Sequence, residues 1–75
     1  MKRIIDGLLY DTDDSVLIYE DVDKRRKYYQ TANKRFFILY KTGEIYAATE
    51  EHVKAVLGER DIDKYIEIFG EPEEA

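Results

Sequence analysis

His52 is the residue with the most obvious catalytic chemistry in this sequence. It is the only histidine, and as a general base it would need a neighbouring nucleophile and a group that orients its ring. Ser15 is the only serine, and nothing in the local sequence places it beside His52. We therefore expect an exposed histidine in the first turn of a helix, and no catalytic residue.

Asp11, Asp13 and Ser15 have the spacing of positions 1, 3 and 5 of a calcium-binding loop. Such a loop requires glycine at its sixth position and a bidentate glutamate at its twelfth. Val16 and Val22 occupy those positions here. The pattern therefore predicts an acidic turn capped by its own side chains, and no metal site.

The remaining carboxylates offer no context for acid–base catalysis. Adjacent acids occur at the expected starts of helices, where the helix dipole favours negative charge. The four glycines are isolated, so no glycine-rich loop could hold a phosphate, and cysteine is absent. We expect a protein that binds a partner, without enzymatic activity and without a cofactor.

A basic patch, Lys24, Arg25, Arg26 and Lys27, comes directly before two tyrosines. Cations beside aromatic rings can bind phosphates and stack on bases, which is the chemistry of nucleic-acid binding. The surrounding chain is acidic: residues 1–23 carry −5, residues 24–43 carry +7 and residues 44–75 carry −7. The patch could instead pair with the acidic helices of the same chain, or with an acidic partner, and we favour this interpretation.

Strand-forming segments come first and position these residues. Asp6-Gly7 predicts a two-residue type I′ hairpin turn, and the charged segment 21–27 predicts a loop. Asn33 and Gly43 are expected to form turns with positive φ. The predicted strands are 15–20, 27–31, 35–40 and 45–48 after the hairpin segment 4–10.

The periodicity changes to that of helices after Thr49, a suitable N-cap. We expect the first helix to end at Gly58 and Asp61 to cap a second helix. The apolar stripe of the second helix is predicted to be Ile62, Tyr65, Ile66 and Phe69. The sequence thus predicts one α+β domain over 1–75, with an acidic tail over 71–75. It would have an antiparallel sheet of four to five strands and two C-terminal helices packed on one face.

Tyrosine is unusually frequent, with seven of the 75 residues. Tyrosines bury a large area at little entropic cost and are common anchors of interfaces. We expect some of them to lie exposed on the sheet face opposite the helices, which would be a candidate surface for a homodimer. The strand tyrosines are Tyr19, Tyr28, Tyr29, Tyr40 and Tyr46.

Three segments, in order, resemble a family of small proteins from bacterial prophages and mobile elements. Residues 5–12, IDGLLYDT, resemble its I-(N/D)-G-x-x-Y-(D/N)-T opening. Residues 28–40 contain YYQT and RFFILY and resemble its central L-Y-x-T…F-F-L-Y hairpin. The pieces TEE, DIDKY and FGE, within 49–71, resemble its closing segment. The sequence departs from the pattern at Asp13-Asp14-Ser15, where the family usually has Thr-Ala.

The resemblance implies a phage or mobile-element protein, and similar small proteins include anti-CRISPR and other anti-defence inhibitors. We expect an inhibitor that binds a host defence complex, such as a CRISPR effector, through an acidic surface that competes with nucleic acid. The alternatives are a self-associating accessory domain and a nucleic-acid-binding module that uses the basic patch. The expected partner-binding residues are Asp11, Asp13, Asp14, Asp21, Asp23, Tyr28, Tyr29, Glu50, Glu51, Glu59, Asp63 and Glu67.

The same features predict the location of the protein. Asp6 and Gly7 interrupt the apolar residues that follow Lys2-Arg3, so a signal peptide is not expected. The longest apolar run, 36–40, is far shorter than the roughly 20 residues that cross a bilayer. We expect a protein of the host-cell cytoplasm with no membrane partner.

Overall fold

The structure, a computed structural model, describes residues 1–75, and its strands precede its helices. The strands are β1 (Lys2–Ile5), β2 (Leu8–Asp11), β3 (Val16–Asp21), β4 (Arg26–Gln30), β5 (Phe36–Tyr40) and β6 (Ile45–Ala48). One turn of 3-10 helix, Thr12–Asp14, connects β2 to β3. The helices are α1 (Glu50–Arg60) and α2 (Ile62–Phe69).

The strands form two separate antiparallel sheets. Strands β3, β4, β5 and β6 make a four-stranded sheet in chain order, and β1 pairs only with β2. The α+β prediction is confirmed, with four strands in the main sheet and two C-terminal helices. The N-terminal hairpin is a layer of its own, because its strands do not hydrogen-bond to the larger sheet.

The turns are formed by the residues whose backbone can enter the left-handed region. Asp6 and Gly7 have φ of 51° and 77°, which confirms the predicted type I′ pattern, and Gly43 has φ of 94°. In the turn between β4 and β5 the positive φ falls on Lys34, at 64°, one residue after the predicted Asn33. The segment predicted as a loop over 21–27 is shorter, because β3 runs to Asp21 and β4 begins at Arg26.

The helices cover one face of the four-stranded sheet. Val53 and Leu57 of α1 are fully buried there, and Tyr65, Ile68 and Phe69 of α2 pack around them. The phenyl rings of Phe36 and Phe69 lie 5.7 Å apart. The sheet residues of this core are Ile18, Tyr28, Phe36 and Ile38.

The N-terminal hairpin covers part of the opposite face. Tyr10 of β2 meets Phe37 edge to face at 5.5 Å, and Phe37 stacks on Tyr29 at 5.1 Å. Arg3 of β1 donates a hydrogen bond from Nη1 to the carbonyl oxygen of Ile45. The sheet is therefore the middle of three layers, with helices on one side and a hairpin on the other.

The strand register places most tyrosines on the helical side. Tyr28 is opposite Ile38, Tyr19 is opposite Tyr28, and Tyr46 is opposite Ile38, so these side chains share one face with the helix-covered core. Tyr29 alone among the five strand tyrosines lies on the hairpin side, where Phe37 stacks on it. The expected tyrosine-rich face opposite the helices is therefore not present.

A single residue connects the two helices. The Asp61 backbone N–H donates to the Leu57 carbonyl at 2.8 Å and closes α1, while the Asp61 side chain accepts from the Lys64 N–H at 3.1 Å and caps α2. Thr49 caps α1 as predicted, because its hydroxyl accepts from the His52 N–H. The predicted end at Gly58 is wrong, because α1 continues through Gly58 to Arg60.

Candidate functional site

The basic patch is partly neutralised by the strand beside it. The antiparallel register pairs Glu20 with Lys27 and Asp21 with Arg26. The Nε of Arg26 lies 3.9 Å from Oδ2 of Asp21. Opposite charges on facing positions stabilise a strand pair, so the acids of β3 match the bases of β4. We expected this neutralisation to come from the helices or from an acidic partner, whereas in the structure the ion pair of the patch is made with β3.

Asp21, which the sequence places among the expected partner-binding residues, is buried in the structure. It is 7% exposed and its Oδ1 accepts a hydrogen bond from the Lys24 N–H at 3.1 Å, which fixes the turn between β3 and β4. A carboxylate at this depth needs such partners to offset its loss of water. Asp21 therefore stabilises the turn and leaves only a small part of its surface open to a partner.

The exposed cations of the basic patch share their end of the sheet with acids. The Lys41 N–H donates to the Arg25 carbonyl at 3.1 Å and ties the two hairpin turns together. Lys24, Arg25 and Lys27 are exposed, and Asp23 lies between the same two strands. Because exposed acids and bases occur together at this end of the sheet, its positive charge is partly offset, which weakens its attraction for a nucleic-acid backbone.

Glu44, in the turn after β5, binds a tyrosine at the same end of the sheet. Its carboxylate accepts a hydrogen bond from the Tyr46 hydroxyl. This bond favours the protonated phenol and raises the pKa of Tyr46. Glu44 thus adds a further negative charge beside the basic patch.

Tyr28 is also removed from the expected partner-binding residues, because it belongs to the core. It is 1% exposed, and its ring stacks on that of His52 with the centroids 5.9 Å apart. Its hydroxyl lies 3.3 Å from Nε2 of His52. Burial raises the pKa of Tyr28. The contact between these residues joins positions 24 apart in the chain, so no local pattern could have shown it.

The acidic turn after β2 is capped by its own side chain, as the sequence predicts. Oδ1 of Asp11 accepts from the Asp13 N–H at 3.0 Å, which caps the 3-10 turn, and Asp13 and Asp14 are exposed. Nowhere in the chain do three or more histidine or carboxylate side chains come together in a way that could hold a metal ion. This turn leads from the hairpin to β3.

The acids of the helices lie at spacings that align them along exposed stripes. On α1, Glu51 and Glu59 are two turns apart with Ala55 between them, and on α2 Asp63 and Glu67 are one turn apart. All four are exposed. The two helices, residues 50–69, contain six acids and three bases and carry −3, and the acidic tail 71–75 adds a further −3.

Few of these acids have a partner within the chain. Glu50 is 3.9 Å from the Lys54 ammonium, and Glu67 is 2.8 Å from that of Lys64. The hydrogen bond with Glu67 raises the pKa of Lys64. Glu51, Glu59 and Asp63 are exposed and form no ion pair in the structure.

An apolar residue lies among these acids. Ile62 is 62% exposed at the start of α2, where we predicted a buried residue of the helix stripe. The stripe that packs on the core is Tyr65, Ile68 and Phe69, so Ile62 is left outside it. We call the set Glu51, Glu59, Ile62, Asp63 and Glu67 the acidic helical surface. Ile62 is the member that sequence reasoning missed.

Comparisons with known proteins supply no relative for this chain. No protein-family model matches it, and searches of curated proteins and of solved structures find no match either. Neither of the two helices has the length and apolar character needed to cross a membrane.

Proposed function

We propose that this chain is a non-enzymatic binding protein whose acidic helical surface occupies a positively charged surface of a partner protein. The setting that the sequence resemblance implies is the cytoplasm of a bacterial host, where the partner would be a defence complex such as a CRISPR effector. A small acidic protein on a basic nucleic-acid channel would exclude DNA or RNA from it.

One observation supports this proposal most strongly: the exposed carboxylates of the helices are mostly unpaired. Glu51, Glu59 and Asp63 have no cation of their own chain within ion-pair distance, although Lys54 and Lys64 are on the same helices. Other exposed acids include Asp13 and Asp14 of the 3-10 turn and those of the tail 71–75, whereas Asp21 is buried. The exposed acids of the helices are thus free to pair with the cations of a partner.

Charge alone would give such an interface little affinity. An exposed ion pair contributes only about 0–1 kcal/mol, and salt screens it, so carboxylates mainly accelerate and orient the encounter. Tight binding requires apolar groups that are desolvated at the centre of the interface. Ile62, which directly precedes Asp63 in α2, supplies one exposed apolar group.

The test is a charge reversal with a matched control. Glu59→Lys/Asp63→Lys alters the acidic helical surface, and Asp13→Lys/Asp14→Lys gives the same change in net charge at the 3-10 turn. Each variant is expressed in a CRISPR-immune host, and the plaquing of a targeted phage is measured. We expect the wild-type chain and the control to restore plaques and the helical variant to lose this effect.

A second measurement uses purified components. The displacement of DNA from a guide-loaded effector complex is followed as the chain is added, at low and at high salt. We expect displacement that weakens with salt and that Ile62→Ala reduces. Equal loss in both charge-reversal variants would show that total charge, and not the helical surface, is responsible. Failure of the wild-type chain in every immune host and effector tested would refute the proposal.

A further inference from the structure

The N-terminal part of the chain exposes an unusual amount of apolar surface. Nine hydrophobic residues are buried in the whole molecule, and nine large hydrophobic residues are exposed. Exposed apolar residues are ordinary when scattered, but a concentration of them marks a contact surface. Six of the nine lie within residues 1–17, in the hairpin and the start of β3: Met1, Ile4, Leu8, Leu9, Val16 and Leu17.

The hairpin has an inner and an outer face, and the outer one lacks a partner. Side chains alternate along a strand, so Tyr10, which is buried against Phe37, identifies the inner face. Ile4 and Leu9 are cross-strand partners on the other face. They are 70% and 56% exposed, and no other element of the chain covers them. We call this the outer hairpin face.

The charges on the outer hairpin face are complementary to those of the same face on a second copy of the chain. Lys2 and Asp11 are cross-strand partners, so they lie on the same side of the hairpin as Ile4 and Leu9. A two-fold axis parallel to the strands would place β1 of one copy over β2 of the other. This rotation brings Lys2 of each copy opposite Asp11 of the other copy, and Ile4 of each copy opposite Leu9 of the other.

The distribution of charge also favours contact between two copies through the outer hairpin face. The whole chain carries −5, so two copies repel each other through most of their surfaces. The side chains of residues 1–11 contain two bases and two acids and are neutral together. Identical chains can therefore approach through the hairpin without the repulsion that the helical layer would cause.

We propose that two copies of this chain associate through their outer hairpin faces. The helices lie on the other side of the sheet, so both acidic helical surfaces would point away from the interface. The dimer would present two identical acidic surfaces in opposite directions. The inference does not rest on the proposed function, because the surface involved contains none of the acids of the helices.

The area of the outer hairpin face limits the expected affinity of the dimer. A stable interface buries about 800 Å² on each partner, which is about one seventh of the 5520 Å² that the chain exposes. The outer face of a hairpin of two four-residue strands offers less than that. We therefore expect a weak dimer that forms at roughly micromolar or higher concentration.

Sedimentation velocity and light scattering over roughly 5–500 µM chain test the inference, since this range brackets a weak association. We expect the average mass to rise with concentration from 8.9 kDa toward twice that value. Ile4→Glu and Leu9→Glu should each keep the mass at that of one chain. Ile62→Glu is the matched control, because its isoleucine is similarly exposed but lies on α2, and it should dimerise normally.

A charge swap adds a test of the geometry. Lys2→Asp should weaken the dimer, and Lys2→Asp/Asp11→Lys should restore it, with circular dichroism confirming that each variant is folded. A mass of one chain at every concentration would overturn the inference. So would a dimer that persists in both glutamate variants, or one that only Ile62→Glu disrupts. None of these results would bear on the plaque assay, so the two proposals can fail separately.

Discussion

Replacement of Gly58 by alanine tests a position where the sequence and the structure disagree. The sequence predicts that Gly58 ends α1 in a left-handed conformation, whereas the structure places it in the interior of the helix. Alanine in a left-handed position is strained, but in a helix interior it is favoured over glycine. The sign of the change in stability therefore distinguishes the two descriptions.

The magnitude follows from the surroundings of Gly58. A β-carbon built there would lie 3.8 Å from Cδ2 and 3.9 Å from Cε2 of Tyr65, which is ordinary van der Waals contact. No rearrangement of α2 is needed, so the gain is that of helix propensity and reduced chain entropy, about 0.5–1 kcal/mol. In a domain of this size, that corresponds to a rise in Tm of about 2–8 °C.

Thermal and urea unfolding, followed by circular dichroism, would measure this effect. Gly43→Ala is the control, because Gly43 has φ of 94° in the turn after β5 and alanine there should destabilise the protein by about 1–2 kcal/mol. If Gly58→Ala lowers the Tm as Gly43→Ala does, α1 ends at Gly58 and the described junction with α2 is incorrect.

Leu57→Ala should leave the chain largely unfolded, because truncating a fully buried leucine costs about 2–5 kcal/mol and a core of this size provides only about 3–5 kcal/mol. Ile62→Ala, at an exposed site, should change stability by less than about 0.5 kcal/mol in the same urea titration, and equal effects would contradict the described helix packing. Burial raises the pKa of Tyr28 in the folded protein above its ordinary value of 10.0. The contribution of Tyr28 to stability is therefore complete below pH 10.0 and is lost as the pH rises through the folded-state pKa. Unfolding free energies at alkaline pH should fall less steeply in Tyr28→Phe than in the wild type, and parallel slopes would show that Tyr28 is not buried.

The local rules of turns and caps predicted much of this fold. Asp6-Gly7 and Gly43 have the backbone conformations expected of them, and Thr49 and Asp61 cap the two helices. These positions depend on a few neighbouring residues, so their chemistry can be read from the chain directly. The run Phe36–Tyr40 likewise lies at the centre of the core, because only a strand covered on both faces can bury consecutive apolar residues.

Features that depend on distant pairing could not be predicted in the same way. The charged segment 21–27 looks like a loop, because the match of its bases with the acids of β3 appears only once the register is known. The burial of Tyr28 depends on His52, and the cover over Phe37 depends on Tyr10. In the candidate site, the exposed acids of the helices could be read from helical periodicity, whereas the exposure of Ile62 depends on how α2 packs.

The order of strands in the main sheet has a consequence for the kinetics of folding. Each of β3 to β6 pairs with its neighbour along the chain, so forming the sheet never requires closing a long loop. Chains dominated by such short-range pairing cross a lower entropic barrier and fold rapidly. Because α1 and α2 follow the sheet in the chain, Phe36 and Ile38 stay uncovered until the helices dock. Newly made molecules are most prone to aggregate before the helices dock on the sheet, and rapid docking shortens this period.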